Sequence, residues 1–289
     1  MPQAGVSRAV LCAFDASPDL EQLHQALIAH PDMFRLIGVP IGIGRAQVSS
    51  AVAAQFAAGF SAVRLSDSDL AERSWLLDVA GEARGIVVVA GASVSEPLGA
   101  RVLLDHLNRH ADAQVVAAHF AGPRDGSALR SGAVNELFEH PRFSVVFSRH
   151  GAFEPSLLRS WAEAVLQRTG WQRALWGMES PVLYWRNESV QSSIDWIDEL
   201  SPTDDQRAAF FGGNADRIFF APERQVASLQ LDFDPWLTAR KTPAPYFAGG
   251  LALDQAVGGR LVRSWLASGG PSTGTLGAYV EKIIDKAVA

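Results

Sequence analysis

Short apolar runs rich in Val and Ile alternate with longer stretches of helical period along most of the chain, which predicts strands and helices in turn. Strands are expected at Ala9–Phe14, Arg35–Ile41, Ala62–Leu65, Ile86–Ala90, Gln114–Phe120, Ser144–Ser148 and Arg173–Trp176. Helices are expected between them at Asp19–Ala29, Gln47–Ala57, Leu70–Ala83, Pro97–His110, Leu129–Phe138 and Ser156–Arg168. Ser17-Pro18 and Glu154-Pro155 read as helix starts, because proline is tolerated in the first turn. Gly59, Gly85 and Gly170 stand just past helix ends, where a left-handed cap is wanted. Strands apolar on both faces belong to parallel sheets covered by helices, joined by right-handed crossovers.

Such a pattern folds as an open doubly wound sheet or as a closed barrel. An open sheet that binds a nucleotide needs a glycine-rich turn after an early strand. The run Gly38 to Gly44 lacks that spacing and carries Pro40. The expected fold is therefore α/β, a (β/α)8 TIM barrel. After Trp176 the pattern changes. Helices are expected at Asp195–Leu200 and Asp204–Phe220, a strand at Val226–Phe233, and helices at Leu251–Ala267 and Leu276–Val288. Residues 1–222 read as the barrel body, and 223–289 as a C-terminal strand and helices that complete or decorate it.

A chain of 289 residues is long enough to bury a deep core, and 48% hydrophobic against 19% charged residues is an ordinary globular balance. The net charge of −6 disfavours nucleic acid and anionic membranes as partners. No apolar run is long enough to span a bilayer, and Met1 to Arg8 lacks a signal-peptide pattern. With Cys12 as its single cysteine, the chain forms no internal disulfide, and a cytoplasmic location is expected. On the first strand, Cys12 is expected to be a small buried thiol.

Three stretches carry a family resemblance. One runs Arg173-Ala174-Leu175-Trp176-Gly177-Met178-Glu179-Ser180-Pro181, then Leu200-Ser201-Pro202, then Phe211-Gly212-Gly213-Asn214-Ala215-Asp216-Arg217-Ile218-Phe219. A second links His30-Pro31-Asp32-Met33-Phe34 to Ala58-Gly59-Phe60-Ser61-Ala62-Val63-Arg64-Leu65, and the third is Gln114 through His119 to Gly122. In order and spacing they resemble the amidohydrolase superfamily, in its branch of lactone hydrolases and metal-dependent decarboxylases similar to 2-pyrone-4,6-dicarboxylate hydrolase. The resemblance implies a barrel with its site at the C-terminal ends of the strands. It also implies a metal shell that this chain largely lacks. His-x-His is absent, the fifth-strand histidine has no counterpart over Val87–Ser93, and Glu179 replaces an aspartate. The candidate ligands of a divalent ion such as zinc are His119, Glu179, Asp232 and Asp234, too few for a persuasive shell. No cofactor is the expectation. Val226–Phe233, with Asp232 and Asp234, reads like the missing opening strand, so a circular permutation that fills its slot with residues 226–233 is a further expectation. The alternative for the two aspartates is an Asp-Pro turn.

At the strand ends Glu179 is a candidate general base for water, or a glutamate satisfied by arginine. His119 is a candidate to polarise a carbonyl or hold a water, or a structural histidine. Arg64, Arg149, His150, Tyr184 and Arg186 are candidate substrate contacts, since arginine suits a carboxylate. Arg64 has the alternative of pairing with an acid inside the barrel, and the Tyr184 to Arg186 loop that of a surface lid or dimer contact. His106 and His110 are expected to be solvated on the outer ring. Gly-x-Ser-x-Gly is absent, and no nucleophile constellation stands out. The function expected is hydrolysis of a small carboxylated lactone or ester by water activated at Glu179, with a homo-oligomer as one candidate assembly. The alternatives are a non-catalytic barrel that binds a ligand or partner, and a metal-dependent decarboxylase.

Overall fold

The computed structural model describes residues 5–13, 20–130, 132–186, 188–221, 246–248, 251–253, 255–269 and 276–288. Seven strands, β1 (Ala9–Cys12), β2 (Phe34–Gly38), β3 (Ala62–Leu65), β4 (Ile86–Val89), β5 (Gln114–Ala117), β6 (Phe143–Phe147) and β7 (Ala174–Trp176), pair in chain order in one parallel sheet. The crossovers carry α1 (Leu20–Ala29), α2 (Gly44–Ala57), α3 (Asp67–Glu72), α4 (Leu76–Glu82), α5 (Pro97–Arg109), α6 (Gly132–Glu139) and α7 (Pro155–Thr169). Each of the seven strands predicted up to Trp176 is present.

Alternate side chains of each strand enter different cores, as the two-residue period of a strand requires. Val63, Leu65, Val87, Val89, Val115, Ala117, Val145 and Phe147 pack outward against the helices. Ile37, Ala62, Ile86, Val88, Val116 and Leu175 meet one another on the other face. Strands as distant in the sheet as β2 and β7 share that inner cluster, so the sheet is curled as in a (β/α) barrel. Among the described residues β1 and β7 do not pair, and the curl stops one strand short of closure.

The helix that follows spans this gap at the lower, N-terminal rim. It opens at α8 (Val190–Asp198), restarts at α9 (Asp204–Ala208), and continues through two π turns, Ala209–Gly213 and Asp216–Phe220. Buried Asn214 donates to the carbonyls of Trp171 and Ala174, each at 2.7 Å, and so fixes this segment to the foot of β7. Arg8 pairs with Asp216, Arg35 donates to the Phe219 carbonyl at 3.2 Å, and both guanidiniums lie over the Phe220 ring. Ile218 and Phe219 fill the bottom of the inner cluster. A helix end thus joins the feet of β7, β1 and β2 through side chains.

Several boundaries depart from expectation. The segment predicted as one helix over Leu70–Ala83 is two, because Ser66 and Asp69 form a capping box that starts the first early and Arg73 leaves helical geometry. The helix expected at Asp195 begins at Val190 behind a Ser189 capping box. Leu251–Leu253 is a short strand paired with Tyr246–Ala248, and the helix there is Gln255–Ala267. The final helix, Leu276–Val288, is as predicted. Glu154-Pro155 starts α7, with the Glu154 carboxylate accepting from the amides of Ser156 and Leu157. Gly85 is not the left-handed cap; Arg84 is, at φ 52°. Gly85 is needed for room, since a Cβ there would lie 2.3 Å from the Phe56 ring. Cys12 is exposed rather than buried, on the edge strand of the sheet. His106 is fully buried rather than solvated. Val226–Phe233, Asp232, Asp234 and Ser17-Pro18 lie outside the described residues, and with them the proposed permutation.

Candidate active site

Three adjacent strands, β5, β6 and β7, deliver the central side chains just past their C-terminal ends, and each does so through a left-handed residue. His119, Arg149 and Glu179 have φ of 53°, 63° and 53°. Non-glycine residues in this region carry strain of about 1–3 kcal/mol each and need surroundings that over-determine them. At β5 the surroundings are visible. His119, Phe120 and Ala121 all turn left-handed before Gly122, which ends the predicted strand Gln114–Phe120 at Ala117. The Phe120 ring is driven into a cage of Phe147, Phe153 and Trp196, and its carbonyl accepts from the Trp161 indole at 2.7 Å. With Phe120 held inside, His119 swings over the mouth of the curled sheet.

There it meets Glu179. The His119 Nε2 atom lies 3.3 Å from Glu179 Oε1, and Nδ1 lies 3.0 Å from the Ser148 hydroxyl. The second carboxylate oxygen accepts from Arg149 Nε at 2.6 Å and Arg186 Nη2 at 3.1 Å. Arg186 reaches on to Glu188, donating from Nε at 2.8 Å. Glu188 is buried, accepts from the Gly151 amide, and lies 3.7 Å from His150 Nδ1; His150 Nε2 is 3.3 Å from the Ser192 hydroxyl. Arg186 therefore couples two carboxylate–histidine sets.

Burial pushes the His119 imidazole down to about 4, and Arg149, Arg64 and Arg186 act in the same direction against the raising effect of Glu179. His119 is neutral at pH 7. For Glu179 burial raises the pKa, yet the net shift is downward, through His119, Arg149 and Arg186. Since the histidine is neutral, the two guanidiniums keep the carboxylate ionised. His150 is also lowered, by burial first and by Arg186, with Glu188 opposing.

The structure brings His119, Glu179, Arg149 and Arg186 together as one constellation. Arg64 stands on the inward-facing side of β3, in line with Ala62, and its charge reaches His119. His150 joins the neighbouring set around Glu188. Val182–Arg186 forms a short turn above the site, and the Tyr184 side chain lies outside what the structure describes. Sequence reasoning missed Ser148 and Glu188. Ser148 shares the inward face of β6 with Ser144 and Val146, a period-two signal that was available. Glu188 had only its nearness to Arg186.

The site does not fit a divalent cation. His119 Nδ1 is bonded to Ser148 and Nε2 faces Glu179 at 3.3 Å, Glu179 spends one oxygen on two guanidiniums, and a metal would sit beside Arg149 and Arg186. No group of three metal-ligating side chains exists among the described residues. What the site does hold is three guanidiniums against two carboxylates, a local positive excess in an acidic protein.

A curled parallel sheet with a polar site at its strand ends is the architecture of the (β/α)-barrel enzymes. The amidohydrolase family model matches residues 2–221, and the chain belongs to that family. Membership of that family supports a hydrolase. No curated protein matches significantly. Among solved structures it is similar to a candidate 2-pyrone-4,6-dicarboxylic acid hydrolase from Pseudomonas putida, at TM-score 0.58 and 22% identity over 75% of this chain and 84% of that one. A counterpart of the same name from Acinetobacter baumannii, with citric acid bound, matches at 0.58 and 15% identity over 75% and 85%. An amidohydrolase from Bifidobacterium longum subsp. infantis matches at 0.51 and 15% over 73% and 79%. At these identities the likeness is one of fold.

Proposed function

We propose that this protein hydrolyses a small lactone or related ester that carries carboxylates, using a water activated by Glu179 and no resident metal. The observation that carries this reading is the Arg149–Glu179–Arg186 clamp beside a neutral His119. In the free protein the two guanidiniums spend their charge on Glu179. A substrate carboxylate competes for the same donors, with Arg64 close by, and bidentate pairing favours the exchange. Glu179 then keeps its burial and loses its cations, so its proton affinity rises. It takes a proton from water as the oxygen bonds to the carbonyl carbon. The His119 Nε2–H, freed from Glu179, donates to the carbonyl oxygen as charge develops there. The ring C–O bond breaks, and the proton on Glu179 passes to the leaving oxygen.

The named neighbours support the substrate class, since a pyrone dicarboxylic acid is a lactone bearing two carboxylates and citric acid bears three. The test is turnover of a panel of mono- and dicarboxylated lactones by the wild-type chain and Glu179→Gln. General-base loss costs about 10²–10⁴-fold. Full activity in Glu179→Gln would end the role of Glu179.

One observation favours a second reading, a barrel that binds without turning over: one oxygen of Glu179 is already taken by two guanidiniums. Tight binding of dicarboxylates with no hydrolysis of any lactone in the panel would select it. The donor set speaks against the decarboxylase alternative. A cytoplasmic location accords with a single cysteine and with the lack, among the described residues, of a helix long and apolar enough to cross a membrane.

A further inference from the structure

Ser148 lies at the end of β6 on the inward face, nearly fully buried, with its hydroxyl 3.0 Å from His119 Nδ1. Gly177 packs beside it: a Cβ there would fall 2.5 Å from Val146 Cγ1 on the same face of β6 and at an ordinary 3.4 Å from Ser148 Cβ. The direction of the proton in this contact follows from the other side of the ring. Glu179 accepts from two guanidiniums, so it is ionised and has only lone pairs to offer His119. A neutral imidazole bears one N–H, and Nε2 faces that carboxylate at 3.3 Å. A lone pair on Nε2 would set two acceptors against each other. The proton is therefore on Nε2, the lone pair is on Nδ1, and the Ser148 O–H is the donor to it.

We propose that Ser148 is a positioning residue that holds His119 as its Nε2–H tautomer, aimed at the substrate carbonyl. Donation into Nδ1 withdraws electron density from the ring and makes Nε2–H a stronger donor, as linked hydrogen bonds polarise one another. The effect is greatest when the carbonyl oxygen gains charge. It also outlasts the free state: once Glu179 turns to water, Ser148 is the group still holding the ring. This inference rests on the role of His119 as donor in the proposed hydrolysis, but the tautomer itself is read without substrate.

The experiment is nitrogen NMR of the full chain labelled with ¹⁵N at histidine, near neutral pH, with kinetics on the lactone panel. In the wild type, His119 is expected to show a protonated Nε2 and a bare, hydrogen-bonded Nδ1. In Ser148→Ala the Nδ1 signal should move to that of a nitrogen without a donor. The loss in kcat should be about ten-fold, the worth of one buried hydrogen bond, with KM within two-fold. A proton found on Nδ1 in the wild type overturns the proposal, as does wild-type kcat in Ser148→Ala. If no lactone in the panel is turned over, the hydrolase reading fails, while the nitrogen signals still decide the tautomer.

Discussion

Arg149 donates its Nε proton to the Glu179 carboxylate at 2.6 Å, and both residues adopt left-handed backbone to make that contact. Strain at two strand ends is thus tied to one charge-assisted hydrogen bond, which is among the stronger polar contacts available. The pair ties the base to the residue proposed to receive the substrate carboxylate.

Removing that guanidinium should act on both. Arg149→Ala takes away one of the groups that lower the Glu179 pKa, so the carboxylate should titrate at higher pH. In the wild type, kcat/KM should rise with pH along a limb below the ordinary glutamate value and stay flat across neutrality, since His119 is already neutral there. In Arg149→Ala the limb should move to higher pH, and KM for a dicarboxylated lactone should rise at least ten-fold. A limb that stays in place would separate Arg149 from the ionisation of Glu179.

Chelation gives an independent check. With Glu179 held by guanidiniums and His119 bonded to Ser148 at Nδ1, exhaustive dialysis against a strong chelator should leave turnover within two-fold of the untreated protein. Adding zinc or manganese back should not raise it. Activity that vanishes and returns with metal would contradict the donor set.

The strands were legible because their signal is local: seven short apolar runs, several of them rich in β-branched residues. The candidate site was legible in part: the rule that strand ends face the mouth pointed to Glu179, His119 and Arg149, and the loop after Pro181 to Arg186, four residues that the structure brings together. What the sequence did not carry was how these residues pair. An arginine at a strand end suits a substrate or a neighbouring carboxylate equally, and only the left-handed turns at Arg149 and Glu179 settle which it touches. His106 is buried although α5 belongs to the outer ring, because three residues on from Leu103 it shares the helix face that docks on the sheet.

The helix end at the lower rim predicts a stability cost far from the site. Asn214 donates to two carbonyls at the foot of β7, the buried one of Ala174 and the half-buried one of Trp171, while Arg217 braces Asn214 through its Oδ1 at 3.2 Å. Asn214→Ala leaves both carbonyls without that donor, at about 1–3 kcal/mol. Urea unfolding should give a correspondingly lower midpoint. The lactone kinetics of the folded fraction should stay unchanged, because Asn214 holds the N-terminal rim and the site lies on the other.

Acid should destabilise the fold through histidines buried in neutral form. His106 on α5 is fully buried, and neither ring nitrogen has a hydrogen-bond partner. Burial lowers its pKa to about 4; His110, Arg109 and Arg142 add to the shift, and Asp78 opposes it. The unfolded chain titrates near the ordinary 6.5, so below that pH the unfolded state binds a proton that the folded state refuses until about 4. Stability is therefore complete above 6.5 and falls with pH across this window, by up to about 1.4 kcal/mol per pH unit for each such histidine. His119 contributes with the same sign and range. His106→Leu removes one titrating group without touching the site. It should match or exceed the wild type at pH 7.5, because it also removes two unpaired buried nitrogens. Between pH 6.5 and 4.5 its stability, measured by urea unfolding at successive pH values, should decline less steeply by about one proton. An unchanged slope would mean that His106 is protonated in the folded protein, and that the α5 core admits a charge there.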